Sequence, residues 1–178
     1  HLGSAGIAAD LGCSLGATTQ AILRHNASPD ISVLGVDNSA AMIERATKFN
    51  SDPRAQFILG DVQDPAVHQQ LQDARVILLN FVVQFFEPDT RLATLTALRE
   101  ILPGDGLLIV SEKVKHPDPA IHQLFDDTHL AWKQANGYSE LEISQKRSAL
   151  ENVMRVDDVA THLQRFHDAG FSHATQWY

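Results

Sequence analysis

Between residues 10 and 16 the chain reads Asp10-Leu11-Gly12-Cys13-Ser14-Leu15-Gly16, a run of small residues behind an acid. Small side chains let backbone approach a ligand closely, and a helix that starts at the end of such a loop offers it free amides. Asp37 follows roughly 20 residues after the glycines, where a carboxylate can take both hydroxyls of a ribose. Gly60-Asp61-Val62 and Leu79-Asn80-Phe81 are two further polar breaks, each closing an apolar run. Any one of these acids suits a loop residue that caps a helix. Together they suit an adenosine-containing ligand.

The spacing separates candidate ligands. A dinucleotide loop follows G-x-G-x-x-G, so that helix amides face a pyrophosphate, whereas this one follows D-x-G-x-S-x-G. It resembles the first motif of class I S-adenosylmethionine-dependent enzymes, whose ligand carries no phosphate. That resemblance implies that the methionine end lies over the Gly12 loop, that Asp37 takes the ribose hydroxyls, that Asp61 with Val62 faces the adenine, and that Asn80 lies near the sulfonium. The same residues spell G-x-S-x-G, the nucleophile elbow of α/β hydrolases, with Ser14 as nucleophile. An elbow normally follows several strands, however, and here the motif follows the first; His167 or His173 would have to serve as base, and Asp10 and Asp37 would have no task. Nine histidines raise the question of a metal. His116, His122 and His129, like His162 and His167, miss the three- or four-residue spacing of one helix face, so they read as scattered surface residues and no metal is expected. Trp132, Trp177 and Phe125 read as core or interface aromatics.

The elements that must position these residues alternate. Apolar runs at Ile7 to Asp10, Ile31 to Asp37, Ala55 to Leu59, Ala74 to Asn80 and Gly106 to Glu112 read as buried strands. Ala17 to Asn26, Ala40 to Phe49 and Asp89 to Leu102 read as helices between them. Strands alternating with helices predict an α/β fold with a doubly wound, mostly parallel sheet, which places all four polar loops at the carboxyl ends of strands. Beyond the fifth strand, Pro117 and Pro119 open a helix to about Gln134, and a turn follows at Asn136-Gly137. Ser139 with Glu142 is a capping box for the next helix, which carries Ile143, Leu150 and Met154. Asp157 is expected to cap a helix bearing Val159, Leu163 and Phe166, ended by Gly170 and followed by a sixth strand over Phe171 to Tyr178. His116 to Met154 (116–154) is thus a helical insertion between strands 5 and 6, within one domain spanning 1–178, where such a fold carries a specificity element.

Composition narrows the partners. The chain has 178 residues, 44% hydrophobic and 20% charged, which suits one compact soluble domain. Its most apolar stretch, Val76 to Phe86, is broken by Asn80 and Gln84, so no membrane span is expected. With 14 basic against 22 acidic residues the net charge is -8, against the basic footprint that nucleic-acid binding requires. The lone Cys13 allows no internal disulfide and points to a reducing, cytoplasmic setting. His1 to Gly6 has neither the cationic start nor the apolar core of a signal peptide and reads as a trimmed start.

A closer resemblance rests on longer strings: Asp10 to Gly16 (DLGCSLG), Asp37 to Arg45 (DNSAAMIER), Leu79 to Phe85 (LNFVVQF), Ser111 to Lys113 (SEK) and above all Asn136 to Met154 (NGYSELEISQKRSALENVM). These are similar to the carboxy-S-adenosylmethionine synthase family. The resemblance implies a Rossmann-like methyltransferase fold that converts S-adenosylmethionine and prephenate into carboxy-S-adenosylmethionine and phenylpyruvate, and whose product serves the modification of transfer RNA wobble uridine. It implies that Asp10, Gly12, Ser14 and Gly16 bind the ligand, with Gly12 and Ser14 cradling its methionine end, that Asp37 and Asn38 hold the ribose, and that Asp61 and Val62 hold the adenine. It further implies that Asn80 sits near the reactive group, that Arg147 binds the ligand carboxylate, and that the protein is a homodimer. The family's N-terminal segment, whose Tyr helps close the site, and its short last strand are expected to fall outside residues 1–178. An ordinary S-adenosylmethionine methyltransferase acting on a small acidic molecule is the alternative, and a binding-only relic a third reading.

On a helical wheel Arg147 falls on the same arc as Ile143, Leu150 and Met154. Two roles suit a cation there: snorkelling outward to pair with Glu151, or, as the resemblance implies, reading a carboxylate.

Overall fold

The computed structural model describes residues 5–151 and 153–177, with the side chains of 146–151 outside that description. Five strands, β1 (Gly6–Leu11), β2 (Ile31–Asp37), β3 (Ala55–Leu59), β4 (Ala74–Asn80) and β5 (Leu107–Ser111), form one sheet in the order β3-β2-β1-β4-β5. Every pairing is parallel. The chain steps outward from β1 to β3 and then crosses back to place β4 on the other side of β1. The carboxyl ends of β1 and β4 therefore flank the point where strand order reverses, which is where open α/β sheets leave a crevice.

The period-two alternation of the strands sorts their side chains onto two faces. Ala9, Leu11, Val36, Ile77 and Leu79 join Leu95, Leu98 and Leu102 in the larger core. Ala8, Val33 and Val76, their neighbours along the same strands, pack with Leu23 on the opposite face. Helices α1 (Ala17–His25), α2 (Ala40–Phe49), α3 (Pro65–Gln69) and α4 (Arg91–Ile101) make the crossovers. The short α3, unanticipated from the periodicity, is set by local chemistry: Asp64 accepts the Ala66 amide at 2.8 Å and Pro65 supplies a pre-set first turn.

After β5 the chain leaves the sheet as α5 (Pro119–Ala135) and α6 (Glu140–Glu151), then returns as α7 (Val159–Asp168), which packs against α4. The capping box forms as expected: the Ser139 amide donates to Glu142 Oε2 at 2.8 Å and the Glu142 amide to Ser139 Oγ at 3.3 Å. Three expectations are corrected. Asp158, not Asp157, caps α7 by accepting the Thr161 amide, because Asp157 is claimed by Arg91 and Arg165. No strand forms over 171–177, so the described sheet has five strands and not six; Phe171 packs instead against the core beside Phe166 and under Arg99. Phe125, Trp132 and Trp177 are exposed, which removes the core half of what was expected of them. Among the described residues no helix is long and apolar enough to cross a membrane.

Candidate ligand cleft

A cleft of about 360 Å³ opens at the carboxyl ends of the strands, lined by Gly12, Asp37, Asn38, Asp61, Val62 and, from the segment after β4, Phe81, Val82, Phe85 and Phe86 among others. The loop after β1 forms its floor. Gly12 and Cys13 both donate their amides to the Val36 carbonyl, at 2.8 and 2.9 Å, which bends the chain sharply off the strand. Gly12 has φ +73°, and a Cβ there would run into the Val82 side chain across the cleft. Gly16 has φ +80° for another reason: its missing Cβ leaves room for Phe57 and Asn50, behind the loop. Ser14 also adopts a positive φ, 49°, unusual for a residue with a side chain. What holds it there is Asp37, whose Oδ2 accepts the Ser14 amide at 2.9 Å.

Asp37 is the hinge of the site. Its second oxygen, Oδ1, accepts the Ser39 amide at 2.9 Å, so the carboxylate is fixed at both ends by backbone while still lining the cleft. A carboxylate has about four acceptor positions, so the two spent on backbone leave room for two hydroxyl donors. Asp61 is anchored more lightly, through the Gln63 amide at 2.9 Å. Gln63 in turn donates to Thr90, just before α4, and to Thr94 on it, which ties the loop after β3 to that helix. Val62 is buried beside it, its carbonyl bonded to the His68 ring at 2.7 Å.

Asp10 is placed differently from the expectation. It is 1% exposed, and its Oδ2 accepts both the Thr19 amide at 3.0 Å and the Thr19 hydroxyl at 2.7 Å. It clamps β1 to the first turn of α1 and lies beneath the loop, away from the cleft lining, and burial pushes its carboxyl pKa up. Asn80 is exposed at the end of β4, its amide directed to Thr18 Oγ1 at 3.4 Å, beside the residues that line the cleft. Arg147 lies on α6, but its side chain falls outside the described residues, as does that of Glu151. Cys13 is buried under the loop, and burial with the nearby Asp10 and Asp37 carboxylates pushes its thiol up to about 12, so it is no nucleophile at neutral pH.

One residue of the site escaped the functional reading. Glu112, just past β5, turns its carboxylate onto three successive amides: Val82 at 3.0 Å, Val83 at 2.8 Å and Gln84 at 3.1 Å. Burial raises its pKa while those bonds and the Arg91 charge pull the other way. It fixes the 3-10 turn Val83–Phe85, and so the wall of Phe81, Val82, Phe85 and Phe86. Phe81, at φ 59°, is held in turn by its amide on the Ser111 carbonyl at 2.7 Å. The string Ser111 to Lys113 held the signal, but an acid at a strand end does not say which amides it faces.

Among the described residues, those lining the cleft carry Asp37 and Asp61 and no Lys or Arg. Two carboxylates favour a ligand with positive charge and hydroxyl donors and oppose a pyrophosphate. Adenosine joined to a sulfonium fits that chemistry.

Comparison with known proteins agrees. A family profile described as a methyltransferase domain matches residues 8–106. The carboxy-S-adenosyl-L-methionine synthase of Aeromonas hydrophila is 46% identical over 173 residues, covering 95% of this chain and 68% of that protein. The synthase of the same name from Vibrio cholerae is 47% identical over 173 residues, with 95% and 69% covered. Among solved structures, CalO1, the methyltransferase in calicheamicin biosynthesis in its SAH-bound form, superposes with a TM-score of 0.63 at 19% identity, covering 94% of this chain and 43% of that one, a likeness of fold. Identity near one residue in two, sustained over 95% of the chain, is kinship well beyond a shared fold, and the chain belongs to the carboxy-S-adenosyl-L-methionine synthase family.

Proposed function

We propose that this chain converts S-adenosylmethionine and prephenate into carboxy-S-adenosylmethionine and phenylpyruvate, and that its product serves wobble-uridine modification of transfer RNA. The observation that carries the reading is the kinship with synthases of that name. The cleft supports it physically. In this assignment Gly12 and Ser14 cradle the methionine end, Asp37 and Asn38 take the ribose hydroxyls, and Asp61 and Val62 meet the adenine. Asn80 stands near the reacting carbon, and Arg147 binds the carboxylate that the ligand acquires.

The reaction sets a specific physical demand. The sulfonium methyl must give up a proton and attack carbon dioxide released from prephenate, while the prephenate hydroxyl leaves with that proton as water. The adjacent sulfonium stabilises negative charge on carbon. The protein's share is to hold the two reactants together, to keep bulk water from returning the proton, and to place a fixed cation against the growing carboxylate. The apolar wall of Phe81, Val82, Phe85 and Phe86 suits the second task. Arg147 suits the third, since a guanidinium can grip a carboxylate by two parallel bonds where an ammonium cannot. The protein is proposed to act as a cytoplasmic homodimer on small molecules, with no resident metal and no direct contact with nucleic acid.

The test is incubation with S-adenosylmethionine and prephenate, followed by mass spectrometry of the products. Carboxylated ligand and phenylpyruvate should appear together; a methylated acid in their place would make the chain an ordinary methyltransferase. Arg147→Ala and Arg147→Lys should keep most S-adenosylmethionine affinity and lose at least about tenfold, or roughly 1.4 kcal/mol, for the carboxylated ligand. Equal weakening of both ligands would remove Arg147 from the carboxylate site.

A further inference from the structure

The cleft wall that follows β4 is gripped from both sides. Glu112 holds its amides, as described above, and Arg91 holds its carbonyls. The Arg91 side chain is fully buried, donating Nε to the Phe86 carbonyl at 3.1 Å and Nη2 to the same carbonyl at 3.0 Å and to that of Gln84 at 3.3 Å. The other edge of the same guanidinium leaves the wall. Nη1 donates to Asp157 Oδ2 at 2.6 Å and Nη2 to the Arg155 carbonyl at 2.7 Å.

Residues 155–157 are the foot on which the α5–α6 arm returns. The Lys115 amide donates to the Asp157 carbonyl at 3.1 Å, so the chain departs into the arm and comes back from it through one hydrogen-bonded pair. The foot also touches the wall directly, through the Arg155 amide on the Gln84 carbonyl at 2.8 Å. Asp157 is braced from α7 by Arg165 Nη2 at 2.6 Å. Burial works against its charge, yet Arg165 and Arg91 together hold its carboxyl below the ordinary range. One buried cation thus answers to two segments, the nearer holding Gln84 and Phe86 and the farther holding Asp157, 66 residues from Arg91 in sequence. Packing alone would be met more cheaply by an apolar side chain, because a buried ion pair seldom adds net stability; what Arg91 supplies is a geometric tie between the two.

We propose that Arg91 is a positioning residue that couples the cleft wall 81–86 to the foot of the arm at 155–157, so that ligand filling the cleft also orders the arm. This rests on the reading that the cleft takes an adenosyl ligand, but not on the role given to Arg147. The coupling runs both ways, since a tie between two segments biases each by the same free energy.

Hydrogen exchange of backbone amides, resolved by segment, tests it on the whole chain. The variants are Asp157→Asn, which weakens the foot's hold on Arg91 at a partly exposed side chain, and Arg91→Lys, which keeps charge but cannot span both segments. Without ligand, each should speed exchange of 82–86 by about tenfold while amides of β1 stay protected as in wild type. With S-adenosylmethionine, the wild type should gain protection at 82–86 and at 153–157 together. The variants should gain it at 82–86 alone. Should Asp157→Asn leave 82–86 unchanged, or speed the β1 amides equally, Arg91 is a structural tie and the coupling is refuted. If the wild type gains no protection anywhere with ligand, the adenosyl reading of the cleft fails, and the ligand-free arm still decides the coupling.

Discussion

Asp10 separates a ligand contact from a scaffold contact, and two substitutions distinguish them. A single oxygen, Oδ2, accepts both Thr19 bonds. An Asn in the same rotamer would put its one carbonyl oxygen there, so Asp10→Asn keeps both bonds and removes a charge from a buried site. Burial raises the Asp10 carboxyl above its ordinary 3.8; the Thr19 bonds oppose this and the Asp37 charge adds to it. The folded protein therefore binds this proton more tightly than the unfolded chain does. It follows that Asp10's contribution to stability is full below pH 3.8 and is lost as pH rises through the raised folded value. Above that window the wild type carries an unfavourable charge that Asn lacks, while Asn buries an amide NH2, so the two effects oppose and Asp10→Asn should lie within about 1 kcal/mol of wild type. Asp10→Ala instead strands the Thr19 N–H and O–H, at about 1–3 kcal/mol each. A net loss of about 3–4 kcal/mol would lower Tm by roughly 6–16 °C for a domain of this size. Thermal unfolding from pH 4 to 8, with calorimetric titration of S-adenosylmethionine, reads both effects. If Asn destabilises as much as Ala, or if it abolishes ligand binding while Tm holds, Asp10 faces the ligand and the clamp is wrong.

Three further outcomes are expected. Gly12→Ala must accept a left-handed φ, costing about 1–2 kcal/mol, and displace Val82 from the cleft wall; Tm should fall by roughly 2–8 °C and S-adenosylmethionine affinity by more than about tenfold, whereas an unaltered variant would show that the loop has room for a Cβ. Asp37→Ala loses charge-assisted hydrogen bonds worth about 2–3 kcal/mol, so ligand affinity in calorimetry should drop by a factor of about 30 to 150, and unchanged affinity would remove the ribose assignment. At -8 net charge the chain should leave transfer RNA unshifted on a gel at submicromolar protein and about 150 mM salt; a retarded band would mean that a local basic surface outweighs the overall charge.

Much of the fold was legible because it is written locally. β2, β3 and β4 begin and end where their apolar runs do, and α2 spans the expected Ala40–Phe49. The Ser139–Glu142 box needs only residues three apart. The parallel order follows from alternation, because a strand-helix-strand unit returns beside its neighbour in the same direction. The places of Asp37 and Asp61 at the cleft were legible too, since a residue at or just past the carboxyl end of a parallel strand is delivered to the crevice.

What the tertiary structure alone decided is which way each charged side chain turns. Asp10 stands two residues before Gly12, still within β1, and it faces inward because Thr19 waits below it with two donors. Asp157 and Asp158 are adjacent and chemically alike; the first is drawn to Arg91 and Arg165, leaving the second to cap α7. Glu112 follows the last residue of β5 where Asp37 is the last of β2, but it meets three amides of the chain itself. Phe171 and its neighbours carry strand-like composition, and packing against Phe166 and Arg99 claims them instead. In each case the deciding partner comes from another element, and a charge that loses water on folding must settle wherever partners already stand. Composition and spacing specify the elements and their order; the orientation of a buried charge is specified only when those elements have met.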